Sequence, residues 1–97
     1  MELVSQLCFL TNSKKEIMES IKIIMVDDDL EFGQIHGKML TRLGYKVHFQ
    51  TSLAGIEEAI RVFSPSIIVL DVEIGEENGI KKAKELIAIY PEIPILF

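Results

Sequence analysis

Ser66-Ile67-Ile68-Val69-Leu70-Asp71 is the stretch on which the fold turns. Its apolar run is unbroken and ends in a single carboxylate. Ser64-Pro65 supplies a turn ahead of it, and Gly75 and Gly79 supply loop chemistry behind it. A short continuous apolar run between turn signals is the pattern of a strand buried on both faces. Asp71 is therefore expected at the carboxyl end of a central parallel strand, where open α/β sheets place their ligands. A second run of this kind, Ile21-Lys22-Ile23-Ile24-Met25-Val26, closes in Asp27-Asp28-Asp29. Two buried strands that both finish in acids gather carboxylates at one end of one sheet. Such groups repel one another, and a hard cation among them makes the arrangement tolerable.

Working outward, Asp29 is suited to cap a helix. Phe32, Ile35, Met39, Leu40 and Leu43 follow at helical spacing and predict one inward stripe, with Gly44 as its stop. Tyr45, Val47 and Phe49 alternate with Lys46, His48 and Gln50, a strand with one wet face that suits a sheet edge. Thr51 or Ser52 is expected to cap the next helix, whose inner face is Leu53, Ile56, Ala59, Ile60 and Phe63. From Val72 to Asn78 the chain reads as a loop rich in acids and glycine. Ile80, Ala83, Ile87 and Tyr90 predict the inner face of a third helix, with Lys81, Lys82, Lys84 and Glu85 solvated and Pro91 as a stop. Ile93-Pro94-Ile95-Leu96-Phe97 begins a fourth apolar strand. The βαβαβαβ alternation predicts an α/β fold, a doubly wound parallel sheet with helices on both faces.

The totals are consistent with this. A chain of 97 residues, 48% of them hydrophobic, suffices for one small domain with a real core. A net charge of −5 argues against gripping a phosphate backbone, so no direct nucleic-acid contact is expected from this segment. Cys8 is the single cysteine. It can form no internal disulfide, which favours a reducing, cytoplasmic setting. No apolar run approaches the roughly 20 residues of a membrane span. Residues 1–10 are mostly apolar but carry Glu2 where a signal peptide needs positive charge. Asn12 and Ser13 look like caps before a helical turn from Lys14 to Glu19. Residues 1–20 are thus expected to be a partly helical N-terminal extension, and residues 21–97 the domain.

Four pieces, IKIIMVDDD, GYKVHF, PSIIVLDVEIGEENGI and YPEIPILF, occur together in a telling order and spacing. In these the chain from residue 21 resembles the receiver domain of bacterial two-component response regulators. The resemblance implies a flavodoxin-like sheet of order 2-1-3-4, with a fifth strand and the last two helices falling beyond Phe97. It implies that Asp71 is the phosphoacceptor, taking a phosphoryl group from a sensor histidine kinase or a phosphotransfer protein to switch an output. It further implies a Mg²⁺ ion bound by Asp28, Asp71 and the backbone carbonyl of Glu73, and by Asp27 through water. Gly79 matches the family's loop glycine. Two departures stand out. Ile74 and Gly75 occupy the places where the family usually carries Met-Pro, which predicts a looser loop. The family's Ser or Thr after strand four, and its later Lys, would also fall past Phe97.

On that reading the chain is a partial receiver, and Ile93–Phe97 becomes an apolar sheet edge. Such an edge is expected to pair with a second copy, exchange elements with it, or borrow cover from residues 1–10. Two other functions fit parts of the sequence. One is a receiver-like interaction module that is not phosphorylated. The other is an aspartyl phosphohydrolase of the haloacid-dehalogenase type, which needs Thr or Val where Leu30 and Glu31 follow Asp29. A calcium-loop reading of residues 27–38 fails because its twelfth position is Lys38. His36 and His48 are expected to be structural or exposed.

Overall fold

A computed structural model describes residues 21–75 and 77–97. The expectations for residues 1–20 lie outside the described residues. The elements are β1 (Lys22–Val26), α1 (Leu30–Arg42), β2 (Lys46–Gln50), α2 (Ile56–Phe63), β3 (Ile67–Leu70), β4 (Glu73–Ile74), β5 (Glu77–Asn78), α3 (Gly79–Ile89) and β6 (Ile95–Leu96). The main sheet is parallel, in the order β2-β1-β3-β6. This is the expected flavodoxin-like order, with β6 in the place of the fourth strand.

The winding follows from chain direction. The first crossover runs outward from β1 to β2, and the next two run the other way, to β3 and β6. Right-handed crossovers then put α1 on one face of the sheet and α2 and α3 on the other. The core divides accordingly. Ile23, Met25 and Ile67 pack with Leu40 of α1 and with Tyr45. Ile24, Val26, Ile68 and Leu70 pack with Ile56 and Ile60 of α2, and with Ala83 and Leu86 of α3. Alternate residues of β1 and β3 thus face opposite layers, and both strands are buried almost throughout.

The helix faces depart from the expected ones. In α1 the inward residues are Gly33 and Leu40, while Phe32, Ile35 and Leu43 remain 40–50% exposed. The reason is close approach. A Cβ on Gly33 would lie 1.9 Å from the Phe49 ring, so the small residue, and not Phe32, meets the sheet. In α3 the buried positions are Gly79, Ala83 and Leu86, and the predicted Ile80 and Ile87 are exposed. Here Gly79 packs directly on the Asp71 carbonyl and rolls that edge of the helix inward. Lys82, expected to be solvated, is half-buried and ion-paired with Glu57 of α2 and Glu85. The hydrogen bond between Lys82 and Glu57 lowers the pKa of the carboxyl and raises that of the amine.

Neither Thr51 nor Ser52 caps α2. That helix begins at Ile56 behind Gly55, a left-handed residue with φ +73° and no side-chain cap. The Gln50 amide explains the delay, because it donates to the carbonyls of Ser52 and Ala54 and holds the intervening chain in a turn. β2 is an edge strand as expected, but its outward His48 and Gln50 are half-buried, and the Phe63 ring lies 5.8 Å from that of His48. The stretch from Val72 to Asn78 is more ordered than a plain loop. Its ends pair as the short antiparallel β4–β5 ladder, with Gly75 at φ +61° and Ile74 buried. The fourth strand is only Ile95–Leu96; Ile93 and Pro94 precede it, and Pro94 accepts a bond from Ile68 N–H. No helix among the described residues is long and apolar enough to cross a membrane.

Two glycine substitutions should differ in cost. Gly79→Ala sets a Cβ 2.0 Å from the Asp71 carbonyl oxygen, a backbone atom that cannot yield alone. Gly33→Ala meets a half-buried ring that can swing outward. Urea unfolding should show Gly79→Ala as the more damaging, by about 1–3 kcal/mol relative to the parent. Phe49→Leu should rescue Gly33→Ala and leave Gly79→Ala unchanged.

Candidate functional site

β1 and β3 are paired from Ile23 with Ile67 through Val26 with Leu70. The next residue on each strand is an aspartate, and the ladder carries both. Asp71 N–H donates to Val26 carbonyl at 3.0 Å, and Asp27 N–H donates to Gln50 carbonyl at 3.2 Å. Asp27 and Asp71 are thus fixed side by side at the carboxyl edge of the sheet. Asp28 lies in the turn before α1. One carboxylate oxygen from each of Asp27, Asp28 and Asp71 falls within 4.8 Å of the others.

Each neighbouring group has a definite local role. Asp29 is the N-cap of α1, its Oδ1 accepting from Phe32 N–H at 3.0 Å. Asp27 Oδ1 accepts from Asp29 N–H at 2.9 Å. Asp28 Oδ2 accepts from Gly75 N–H at 2.9 Å, which ties the β1–α1 turn to the β4–β5 hairpin. Asn78 caps α3, accepting from the N–H groups of Ile80 and Lys81. The Gly79 N–H donates to Val72 carbonyl at 2.7 Å, closing the loop behind Asp71.

Burial raises the pKa of Asp27, and the charges of Asp71, Asp28 and Asp29 raise it further, while the Asp29 N–H opposes them. Among the described residues no lysine or arginine forms an ion pair with Asp27, Asp28 or Asp71. Three converging oxygens, one from a partly desolvated carboxylate and none paired with a cation among the described residues, make a donor set suited to a hard divalent ion. The three oxygens lie close enough together that one ion could sit among them. Glu73 lies two residues past Asp71, exposed, at the start of β4.

Both histidines stand apart from this chemistry. His36 stacks on Phe32 with ring centroids 3.8 Å apart, and its Nδ1 donates to the Phe32 carbonyl at 2.8 Å. His48 Nε2 lies 2.9 Å from Gln50 Oε1, and since the Gln50 amide nitrogen already donates to the loop, His48 is the donor. Sequence reasoning missed the Gly75 amide and the Asn78 cap. Asn78 had a local signal, an Asn directly ahead of a helical run. Gly75 had none, because its partner is 47 residues away.

The response regulator receiver domain profile matches residues 23–97. The chain is 33% identical over 78 residues to the transcriptional regulatory protein ZraR of Escherichia coli K12, covering 80% of this chain and 18% of that protein. It is 31% identical over 81 residues to a protein-glutamate methylesterase/protein-glutamine glutaminase of Clostridium acetobutylicum, covering 81% of this chain and 24% of that protein. Among solved structures, the non-phosphorylated HemR receiver domain of Leptospira biflexa shares the fold, with a TM-score of 0.74 at 24% identity, covering 80% of this chain and 63% of that one. The chain belongs to the response regulator receiver domain family. It spans less than a quarter of the length of these two curated relatives.

Because the folded state raises the Asp27 pKa, Asp27 favours folding most at pH values below the usual carboxylate range. That contribution is lost as pH rises through the raised value, and at neutral pH the charge opposes folding. Asp27→Asn keeps an oxygen for the Asp29 N–H and removes the charge. It should raise Tm by a few degrees at pH 7 in EDTA, with the gain vanishing below the carboxylate range. Thermal unfolding across pH checks both parts.

Proposed function

We propose that this receiver domain accepts a phosphoryl group on Asp71 in a Mg²⁺-dependent reaction. The donor is the phosphohistidine of a sensor histidine kinase or a phosphotransfer protein. The observation that carries this reading is the position of Asp71: a lone carboxylate at the end of a buried strand, with the Asp27 and Asp28 oxygens within 4.8 Å. A carboxylate oxygen of Asp71 attacks phosphorus as the P–N bond to the donor breaks. The electron pair and a proton go to the leaving imidazole, and Asp71 holds the phosphoryl group as a mixed anhydride. Asp28, Asp71 and the Glu73 carbonyl would hold Mg²⁺, with Asp27 acting through water. The ion supplies positive charge against the phosphoryl oxygens in a site otherwise made of acids.

The product is a change of state and not a released metabolite, so the domain acts as a switch and not as a turnover enzyme. Its setting is cytoplasmic, and its effect passes through an output, as varied among its relatives as a transcriptional regulator and a methylesterase. This segment makes no direct nucleic-acid contact, and its negative charge is the ground for that.

Incubation with Mg²⁺ and acetyl phosphate, read by intact mass, should give a single phosphoryl adduct on the 97-residue chain. Asp71→Asn should abolish it while the domain stays folded. An adduct that persists in that variant, or no adduct on the parent chain, would overturn the assignment. In calorimetric titration, Asp28→Ala should weaken Mg²⁺ binding more than Asp27→Ala, as a direct ligand does relative to one acting through water.

A further inference from the structure

The turn of the β4–β5 hairpin reaches back to the acidic site through one backbone atom. Gly75 N–H donates to Asp28 Oδ2 at 2.9 Å, across 47 residues of sequence. Gly75 holds φ +61°, a left-handed conformation that L side chains seldom adopt. Nothing lies within 4 Å of where its Cβ would be, so space is not what selects glycine there. What the position requires is the backbone conformation, and that conformation aims the amide at Asp28.

We propose that the Gly75 amide is a positioning group for the cation site. It holds the carboxylate of Asp28 in one rotamer before the ion arrives. The inference rests on the reading of Asp28 as a Mg²⁺ ligand. Asp28 is exposed, and no other bond to its side chain is found among the described residues. Left alone, it would rotate freely and stand off from Asp27 and Asp71, whose charges repel it. A charge-assisted bond from a fixed amide counters both effects. Ordering one side chain in advance is worth about two- to tenfold in affinity. The same bond links cation binding to the hairpin that follows Asp71, so the site and that loop are ordered together.

The test compares two substitutions in the full chain by calorimetric Mg²⁺ titration. Gly75→Asn keeps the N–H and tolerates left-handed φ. Gly75→Pro removes the donor and cannot adopt that φ. The Asn variant should bind within about twofold of the parent and the Pro variant about two- to tenfold more weakly. Equal affinities for parent and Pro variant, or an Asn variant as weak as the Pro variant, would overturn the proposal. A measurement on the parent fold covers the case in which the Pro variant does not fold. Gly75 amide hydrogen exchange, followed by NMR, should be several-fold slower in the parent than in Asp28→Ala, and equal rates would also overturn it. A parent chain that binds no Mg²⁺ sinks the proposed function itself, and that outcome is read before any Gly75 variant is compared.

Discussion

The structure depends on the pairing of β1 with β3. Both strands are apolar on both faces, so neither can lie at a solvated surface, and each is the other's neighbour in the sheet. Their register, Val26 against Leu70, then decides what happens one residue later. The apolar runs stop at the same level, so Asp27 and Asp71 emerge together at the carboxyl edge. Helix placement reinforces this. α1 covers one face, α2 and α3 cover the other, and the open end of the sheet is where acids can reach water and an ion.

Gathering acids at that end costs stability, and among the described residues the cost is offset by backbone donors rather than side-chain cations. Asp29 N–H bonds Asp27, Gly75 N–H bonds Asp28, and Asp29 itself caps α1. The three aspartates also precede a helix N-terminus, whose dipole favours negative charge. Backbone amides hold carboxylates in place without neutralising them. The carboxylates therefore stay charged beside one another, and burial together with the charges of Asp71, Asp28 and Asp29 raises the pKa of Asp27. A lysine or arginine within the cluster would relieve that repulsion and remove the reason for an ion to bind.

The loop behind Asp71 is also built from backbone contacts. Gly79 lies against the Asp71 carbonyl, and its own N–H closes on Val72. α3 therefore starts directly behind Asp71, and the Lys82–Glu57 pair fastens α3 to α2 further along. A change at Asp71 is poorly placed to stay local, because the same backbone segment seats a helix and, through Gly75, the turn that carries Asp28. This agrees with membership in a family of receiver domains.

Strand identity and the acidic site were legible in the sequence because each has a one-dimensional signature, whereas the sheet order came with the resemblance to the receiver family. Ile67–Leu70 and Ile23–Val26 are unbroken apolar runs, Lys46–Gln50 alternates, and each central run ends in aspartate. Asp29 as a cap was legible too, since capping depends on residues within one turn. Helix orientation was not. Spacing alone pointed Phe32, Ile35, Ile80 and Ile87 inward, but Gly33 against Phe49 and Gly79 against Asp71 let the backbone come close and turned other faces to the sheet. The late start of α2 depended on the Gln50 side chain reaching over the next turn, and the setting of Asp28 depended on an amide 47 residues away. The sequence by itself determined which strands are buried and what chemistry stands at their ends, because burial and charge belong to single residues. Only the tertiary structure decided how close the helices approach and which backbone amides meet the carboxylates, because those depend on distances between segments that no local pattern encodes.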